Sequence, residues 1–318
     1  MLDIIPPIDK RLLVGELKRE FLLRPTNKAN NEIYDITAHE CPNVMREVAR
    51  LRELSYRQAG GSKGEALDMD DMDTMVKPYH QLIVWNPDEQ EIVGGYRYLP
   101  LSDCTFTNAG QPYITSSFLF IYSELFIKDY LASTIELGRA FVQPKYQTRE
   151  AGLKALFALD NLWDGLGAIV HNNPHIRHLI GKVTIYPDYD ALSRDLIYAY
   201  LDRYCRDPRR LFEPYESVEV SNEAKQWAKE VFTGNDNVEN LQTLKRELRT
   251  RNSILPPMFS AYLNLTPNLR YYGTAVEATF SGVYDSGIMV NLDEVYEEKK
   301  ERYIGSYEEY LKEVRSEK

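Results

Sequence analysis

The sequence of 318 residues has few cysteines and no long apolar run. Cys41, Cys104 and Cys205 lie far apart and form no CxxC pair, so we expect neither a disulfide framework nor a structural zinc site. No apolar run approaches the ~18 residues that a membrane-spanning helix needs. Because the first ten residues lack an apolar core, we expect no signal peptide and a cytoplasmic protein.

Motifs of several common enzyme classes are also missing. No predicted strand is followed by a Gly-x-Ser-x-Gly elbow, a Walker A loop or a GxGxxG turn, which argues against hydrolases, NTPases and dinucleotide-binding enzymes. His171, His175 and His178 have no carboxylate or cysteine at a metal-ligand spacing, so we expect no metal site. The net charge of -10 argues against nucleic acid as a partner.

Two basic clusters interrupt this acidic composition. They comprise Arg203, Arg206, Arg209 and Arg210, and Lys245, Arg246, Arg249 and Arg251. Such clusters are commonly solvated helix faces, but they also suit docking of an acidic protein or an anionic lipid surface. The sequence leaves both interpretations open.

The spacing of apolar residues predicts an α+β fold, an α/β/α sandwich with a mixed central sheet. We expect an N-terminal arm over residues 1–34, a main domain over 35–295 and a charged helix over 296–318. A helical insertion is expected at about 207–253. Strands are predicted at 80–85, 91–99, 134–142, 178–185, 274–280 and 287–292, and helices at 43–58, 147–172 and 191–205.

The run Glu136-Leu137-Gly138-Arg139 stands in a predicted strand that leads towards a long helix. Strict alternation places Glu136 and Gly138 on one face of this strand and Leu137 and Arg139 on the other. Glycine in mid-strand often marks a bulge, which would turn a backbone N–H towards a developing oxyanion. Glu136 would then be positioned to accept a proton. The alternative is a buried Glu–Arg pair with a structural role only.

Two further groups are candidate binding residues. Arg149, Gly152 and Lys154 follow the pattern Arg-x-x-Gly-x-Lys at the start of the long helix, where free N–H groups favour a phosphate. Arg52 and Arg97 lie on predicted half-buried elements and need anionic partners. Either a substrate carboxylate or the acidic loop with Asp68, Asp70, Asp71 and Asp73 would serve, and His80 begins the neighbouring strand.

Several short motifs together resemble one known family. They are Arg50-Leu51-Arg52, the acidic loop Asp68 to Asp73, His80-Gln81-Leu82-Ile83-Val84, Val93-Gly94-Gly95-Tyr96-Arg97-Tyr98-Leu99-Pro100, Tyr122-Ser123-Glu124, Glu136 to Arg139, and Pro256-Pro257-Met258 with Tyr262-Leu263. The pattern is similar to the ornithine-lipid and glycine-lipid N-acyltransferases, or "putative haemolysins", of the Gcn5-related N-acyltransferase (GNAT) fold. It also resembles acyl-homoserine-lactone synthases.

This resemblance implies transfer of a long (3-hydroxy)acyl chain to the amino group of glycine or ornithine, which gives a lyso-aminolipid. The donor would be acyl carrier protein through its phosphopantetheine, or acyl-CoA, with no permanently bound cofactor. The carrier protein and a small amino acid would be the partners, with possible peripheral contact with the inner membrane face. Alternatives are an acyl-homoserine-lactone-type synthase, an acetyl-CoA-dependent N-acetyltransferase and a non-catalytic haemolysin-like protein.

The candidate site residues fall into five groups. Glu136, Leu137, Gly138 and Arg139 would be catalytic, and Arg97, Arg52, Asp70, Asp73 and His80 would bind the acceptor. The acyl donor would contact Phe141, Val142, Arg149, Gly152 and Lys154. Phe118, Phe120, Ile121 and Phe141 are candidates to line an acyl channel, and Arg203 to Arg210 to dock the carrier protein.

Overall fold

The computed structural model describes residues 1–148 and 153–316. Its longer helices and its strands match most of the predicted elements. The helices are α1 (Lys10–Glu16), α2 (Pro42–Gln58), α3 (Asp71–Thr74), α4 (Leu153–Asn172), α5 (Ala191–Tyr204), α6 (Asn222–Val231), α7 (Asn237–Thr250), α8 (Pro257–Leu263), α9 (Glu297–Lys300) and α10 (Ser306–Ser316). The strands are β1 (Leu22–Pro25), β2 (Glu32–Ile36), β3 (His80–Asn86), β4 (Glu91–Pro100), β5 (Thr105–Phe106), β6 (Pro112–Tyr113), β7 (Phe120–Tyr122), β8 (Thr134–Val142), β9 (His178–Ile185), β10 (Phe212–Pro214), β11 (Arg270–Glu277) and β12 (Val283–Asn291).

The described residues pack as two compact units. Unit 1 comprises Met1–Cys104, Ile135–Ile176 and Glu297–Lys318, and unit 2 comprises Thr105–Thr134 and Arg177–Tyr296. The division into 1–34, 35–295 and 296–318 therefore stays a prediction. None of the described helices combines the length and the apolar composition that crossing a bilayer requires.

Unit 1 is built on a sheet in the order β1-β2-β3-β4-β8, with each neighbouring pair antiparallel. Helix α4 covers one face, where a Cβ on Gly165 would come within 2.7 Å of Leu82. Helix α2 covers the other face, where Arg52 donates to Gln81, the strand neighbour of Leu82. Helices on both faces of a sheet confirm the predicted sandwich class.

The segment expected as an N-terminal arm contributes two strands to this sheet. Ile33 and Ile36 of β2 are fully buried, and β2 pairs with β3 from Glu32 to Ile36. This short stretch has too few alternating apolar residues to predict a strand. The strand that it pairs with lies more than 40 residues further along the chain, so the pairing leaves no local pattern either.

A polar cluster joins the β1–β2 turn to α4 and the C-terminal segment. Asp164 accepts from Asn27 at 2.9 Å (backbone N–H) and 2.6 Å (side chain), and buried Arg24 donates to Ser306 at 3.1 Å. Beside it, a Cβ on Gly167 would stand 2.4 Å from the carbonyl oxygen of Tyr303. The absence of a side chain at Gly167 therefore allows the C-terminal segment to pack on α4.

Unit 2 contains a sheet in the order β9-β12-β11, again with antiparallel neighbours. The predicted bounds of β9 are confirmed, whereas β11 and β12 both begin four residues before the predicted starts. Both strands also end before their predicted ends. Ser281 and Gly282 lie between them with positive φ of 58° and 68° and close the hairpin. The range predicted as a helical insertion contains α6, α7 and short β10, which pairs with β7; that this range is an insertion stays a prediction.

Replacing Gly167 with alanine should lower the free energy of unfolding by about 1–3 kcal/mol, since the new Cβ collides with backbone. Gly15→Ala is the matched control, because apart from the backbone of its own helix no atom of the described residues lies within 4 Å of a Cβ there. Alanine at that helical position should be neutral or stabilise by at most ~1 kcal/mol. Urea denaturation measures both, and equal effects would contradict the proposed close contact.

Burial raises the pKa of Asp164 from 3.8 to about 6, against the opposing effects of the Asn27 N–H and Arg24. Between these two values the folded chain binds a proton that the unfolded chain does not. The free energy of unfolding should therefore gain a component, on the order of 2 kcal/mol, as the pH falls from about 7 to about 4. Asp164→Asn should remove that component in pH-dependent urea titrations, whereas exposed Asp71→Asn should keep the wild-type slope. An equal pH dependence of the unfolding free energy in wild type and Asp164→Asn would contradict this contribution of Asp164.

Candidate active site

The pairing of β4 with β8 contains a bulge. Three residue steps on β8, from Gly138 to Phe141, face two steps on β4, from Arg97 to Gly95. The extra residue follows Gly138, and Arg139 has a left-handed backbone with φ of 51°. The predicted bulge is thus confirmed, with the strained conformation at Arg139, the residue after the glycine. A non-glycine residue in this conformation costs about 1–3 kcal/mol, so the surrounding contacts must hold it.

The bulge changes the direction of the Arg139 side chain. Strict alternation predicted it on the face opposite to Gly138, and this prediction was wrong. The Arg139 guanidinium lies 3.3 Å from Asp68 and 3.1 Å from Asp70. Arg97, which pairs directly with Gly138 across the strands, contacts the same Asp70 at 2.6 Å. The extra residue and the positive φ therefore bring both arginines to one carboxylate.

A short acidic helix organises this cluster. Asp70 caps α3, and the Asp73 side chain bonds back to the Asp70 backbone, so the two carboxylates fix each other's position. Asp73 lies 3.3 Å from Arg52 and 3.2 Å from Arg97, both of which are fully buried. Gln81 on β3 accepts from Arg52 and donates to Asp73 at 3.0 Å. Of the two interpretations of these arginines, the geometry favours pairing with the acidic loop.

The charges of the cluster support one another. Burial alone would raise the pKa of Asp70 and Asp73. Arg97 and Arg139 nevertheless lower the pKa of Asp70, and Arg97 and Arg52 lower that of Asp73, below the ordinary value. Burial likewise opposes the charge of Arg97, yet Asp73 and Asp70 raise its pKa well above normal. All three groups are therefore charged at neutral pH.

Glu136 lies beside this cluster and is 2 % exposed. Its carboxylate accepts a hydrogen bond from the hydroxyl of Tyr79. Two residues further, partly exposed Gly138 borders open space among the described residues, since none of their atoms beyond the two chain neighbours would lie within 4 Å of a Cβ there. Leu137, between them, is buried. The strand thus places a carboxylate in the interior and, two residues along, an accessible stretch of backbone.

His80 does not join the residues with which it was grouped. It pairs across the strands with Tyr98, whereas Gln81, the next residue, pairs with Arg97, so His80 faces the other side of the sheet. Its Nδ1 lies 3.0 Å from Asp35. Burial lowers the pKa of His80, but the hydrogen bond and charge of Asp35 outweigh it and raise the pKa overall. Because adjacent strand residues point to opposite faces, the structure does not bring His80 to Arg97, and the assignment of His80 to the acceptor site stays a prediction.

The predicted acyl-donor residues are only partly described. Phe141 is buried against β4, where a Cβ on Gly95 would stand 3.0 Å from its ring. The carbonyl oxygen of Val142 accepts from Ser55 of α2 at 3.1 Å. Arg149 and Gly152 lie outside the described residues, and the structure describes Lys154 only as part of the α4 backbone. Their proposed phosphate site stays a prediction.

The aromatic residues suggested for an acyl channel do not share one surface. In unit 2, Phe120 is fully buried and packs edge to face on Phe212, with ring centroids 5.7 Å apart. Phe118 and Ile121 are 61 % and 47 % exposed. Because Phe120 and Ile121 are neighbours on β7, they point to opposite sides, and this part of the channel prediction was wrong.

The basic cluster of unit 2 is largely paired with acidic groups. Arg206 lies 3.4 Å from Asp202, and Arg209 lies 2.6 Å from Asp207. Arg210 lies 2.6 Å from Glu213. These carboxylates reduce the free positive charge that the sequence suggested, and docking of a carrier protein there stays a prediction.

Two residues of the site escaped the sequence analysis. Gln81 gave a signal, because it is a polar residue directly before the apolar run Leu82 to Trp85. Tyr79 gave none, since it derives its role from a partner more than 40 residues away.

Neutralising Asp73 should cost about 3–5 kcal/mol of unfolding free energy, because Arg52 and Arg97 would lose a buried counter-charge. Asp71→Asn, on the exposed side of the same helix, should change it by less than about 0.5 kcal/mol. Thermal and urea unfolding of Asp73→Asn and Asp71→Asn make the comparison. Similar stabilities of the two variants would show that the ion pairs contribute little.

Similarity to known proteins agrees with this architecture. The model of the acetyltransferase (GNAT) domain family matches residues 51–156, which include the second half of α2, the acidic loop, β3, β4 and β8. A solved structure of a CoA-dependent acyl-homoserine lactone synthase, BjaI, with SAM and isopentyl-CoA covers 87% of this chain and 89% of its own, at 10% identity and a TM-score of 0.37. That structural similarity is too weak to bear on function.

Two curated relatives match nearly the whole sequence. The glycine N(alpha)-acyltransferase of Bacteroides thetaiotaomicron is 45% identical over 96% of this chain and 91% of its own length. The protein of the same name from Phocaeicola vulgatus is 43% identical over 96% of this chain and 94% of its own length. Identity of this extent, together with the GNAT domain match, shows that the chain is an acyltransferase and belongs to the GNAT-type N-acyltransferase family that contains these two proteins.

Proposed function

We propose that this enzyme transfers a long (3-hydroxy)acyl chain from acyl carrier protein to the amino group of glycine. The observation that carries the proposal is 43–45% identity, across 96% of the chain, with two proteins named glycine N(alpha)-acyltransferase. Glycine is preferred over ornithine on this ground. The product would be an N-acyl amino acid with a single chain, a lyso-aminolipid, and its release would bring the enzyme to the inner face of a membrane.

In the proposed reaction Glu136 is the general base. Its carboxylate takes a proton from the glycine ammonium, directly or through water, and the free amine attacks the thioester carbonyl. The new C–N bond forms, the C–S bond breaks, and the second proton that the attacking nitrogen loses passes to the leaving thiolate of phosphopantetheine. No covalent enzyme intermediate is needed because the thioester is already activated.

Backbone N–H groups at the β8 bulge are the proposed donors to the tetrahedral oxyanion. The bulge interrupts the β4–β8 register directly after Gly138, which borders open space. Loss of one such donor typically costs about a hundredfold or more in turnover. Backbone donors at this position cannot be removed by a side-chain change, so Glu136 gives the sharper test.

Arg139 is the better candidate for the glycine carboxylate. Its side chain is 14% exposed, whereas that of Arg97 is 0% exposed and holds Asp70 and Asp73.

On the donor side, Arg149, Gly152 and Lys154 would hold the phosphopantetheine phosphate at the predicted start of the long helix. An acyl chain gains about 0.8 kcal/mol for each buried CH₂, so a long chain provides much of the binding free energy.

The purified chain should convert 3-hydroxyacyl carrier protein and glycine to N-acyl glycine, detected by mass spectrometry, and should turn over acetyl-CoA poorly. Glu136→Gln should reduce kcat by about a hundredfold to ten-thousandfold while the chain stays folded. Glu298→Gln, at a side chain 78% exposed, is the control and should keep wild-type activity. Ornithine as the better acceptor would overturn the choice of glycine, and full activity of Glu136→Gln would remove Glu136 as the base.

A further inference from the structure

Tyr79 is a buried residue between α3 and β3. It is 1 % exposed, and its backbone N–H donates to the carbonyl oxygen of Met72 in α3 at 2.9 Å. This hydrogen bond links the tyrosine to the acidic helix. This position brings the phenol ring between the arginine cluster and β8.

Two contacts define the environment of the ring. The Tyr79 hydroxyl donates to Oε2 of Glu136. On the ring face, the guanidinium carbon of Arg97 lies 4.9 Å from the centroid, within cation–π range. Arg97 is itself held by Asp70 at 2.6 Å and Asp73 at 3.2 Å. A continuous chain of contacts thus runs from α3 through Arg97 and Tyr79 to Glu136.

We propose that Tyr79 is a positioning residue that orients the carboxylate of Glu136 towards the substrate amine, an inference that rests on the function proposed above. A hydrogen bond donated to a carboxylate favours its charged form over its protonated form. A cation on the ring face draws electron density from the phenol and strengthens its O–H as a donor. Both effects hold a buried carboxylate ready to accept a proton from the substrate amine.

This assignment also gives the buried arginine cluster a role. Arg97 has no exposed side-chain surface, and its carboxylate partners belong to the protein. It would act on the reaction through the tyrosine ring, without contact with the acceptor. The acidic helix α3 would in turn keep the guanidinium over the ring. Substrate binding is left to groups nearer the open stretch at Gly138.

The test is the pH profile of acyl transfer by the full chain. Tyr79→Phe keeps the ring under Arg97 and removes only the hydroxyl. We expect kcat/KM at neutral pH to fall about tenfold, and the acidic limb of the profile to move towards higher pH, because the phenol no longer donates to the carboxylate. KM for the acyl donor should stay unchanged. A loss of folding alone would lower activity at every pH without moving the limb.

Tyr98→Phe is the matched control. Tyr98 is also buried on this sheet, and its hydroxyl donates to a carboxylate, Asp35, at 2.7 Å, but it lies on the opposite face. The pH profile of Tyr98→Phe should keep the acidic limb at the wild-type position. In the Glu136→Gln background, Tyr79→Phe should cost little more, because a residue that acts through Glu136 has no effect once that carboxylate is gone.

The outcomes separate the two proposals. An unmoved limb for Tyr79→Phe, an equal shift for Tyr98→Phe, or full additivity with Glu136→Gln overturns the positioning role while the acyl transfer stands. A wild-type chain that leaves glycine unacylated overturns the proposed function and this inference with it.

Discussion

The pairing of Asp70 and Asp73 with three arginines is the interaction on which the rest of unit 1 depends. Arg52 and Arg97 have no exposed surface, and an unpaired guanidinium in such a place would cost several kcal/mol. The four-residue helix α3 must therefore dock beside β3 and β4 for these arginines to be buried with counter-charges. Once docked, it also fixes Tyr79, through the Met72 carbonyl, next to Glu136.

The bulge in β8 joins this structural cluster to the strand that carries Glu136. A regular strand would direct Arg139 away from Asp70, and the acidic helix would then hold one arginine fewer. The left-handed residue is strained, and the ion pairs to Asp68 and Asp70 are the contacts that hold it. The same irregularity leaves Gly138 beside open space. A stabilising ion-pair cluster and an accessible backbone segment therefore have one structural origin.

Membership of the GNAT-type N-acyltransferases is consistent with this arrangement, because aminolysis of a thioester requires a base and oxyanion donors but no nucleophilic side chain or metal.

In unit 2, the basic cluster that suggested a docking surface is mostly paired with Asp202, Asp207 and Glu213. The outward direction of Phe118 and Ile121 likewise separates them from the buried aromatic residues of the same segment.

The sequence by itself determined the sandwich class, the bounds of β8 and β9, the helix α2 to within one residue at its start and the presence of a bulge near Gly138. Periodicity, β-rich composition and a mid-strand glycine are local signals, and each is complete within a few residues of chain. Tertiary structure alone decided that residues 22–36 add two strands, that His80 faces away from Arg97, that Arg139 turns towards Asp70 and that Tyr79 reaches Glu136. These features depend on cross-strand register and on partners distant in sequence, which no local pattern encodes.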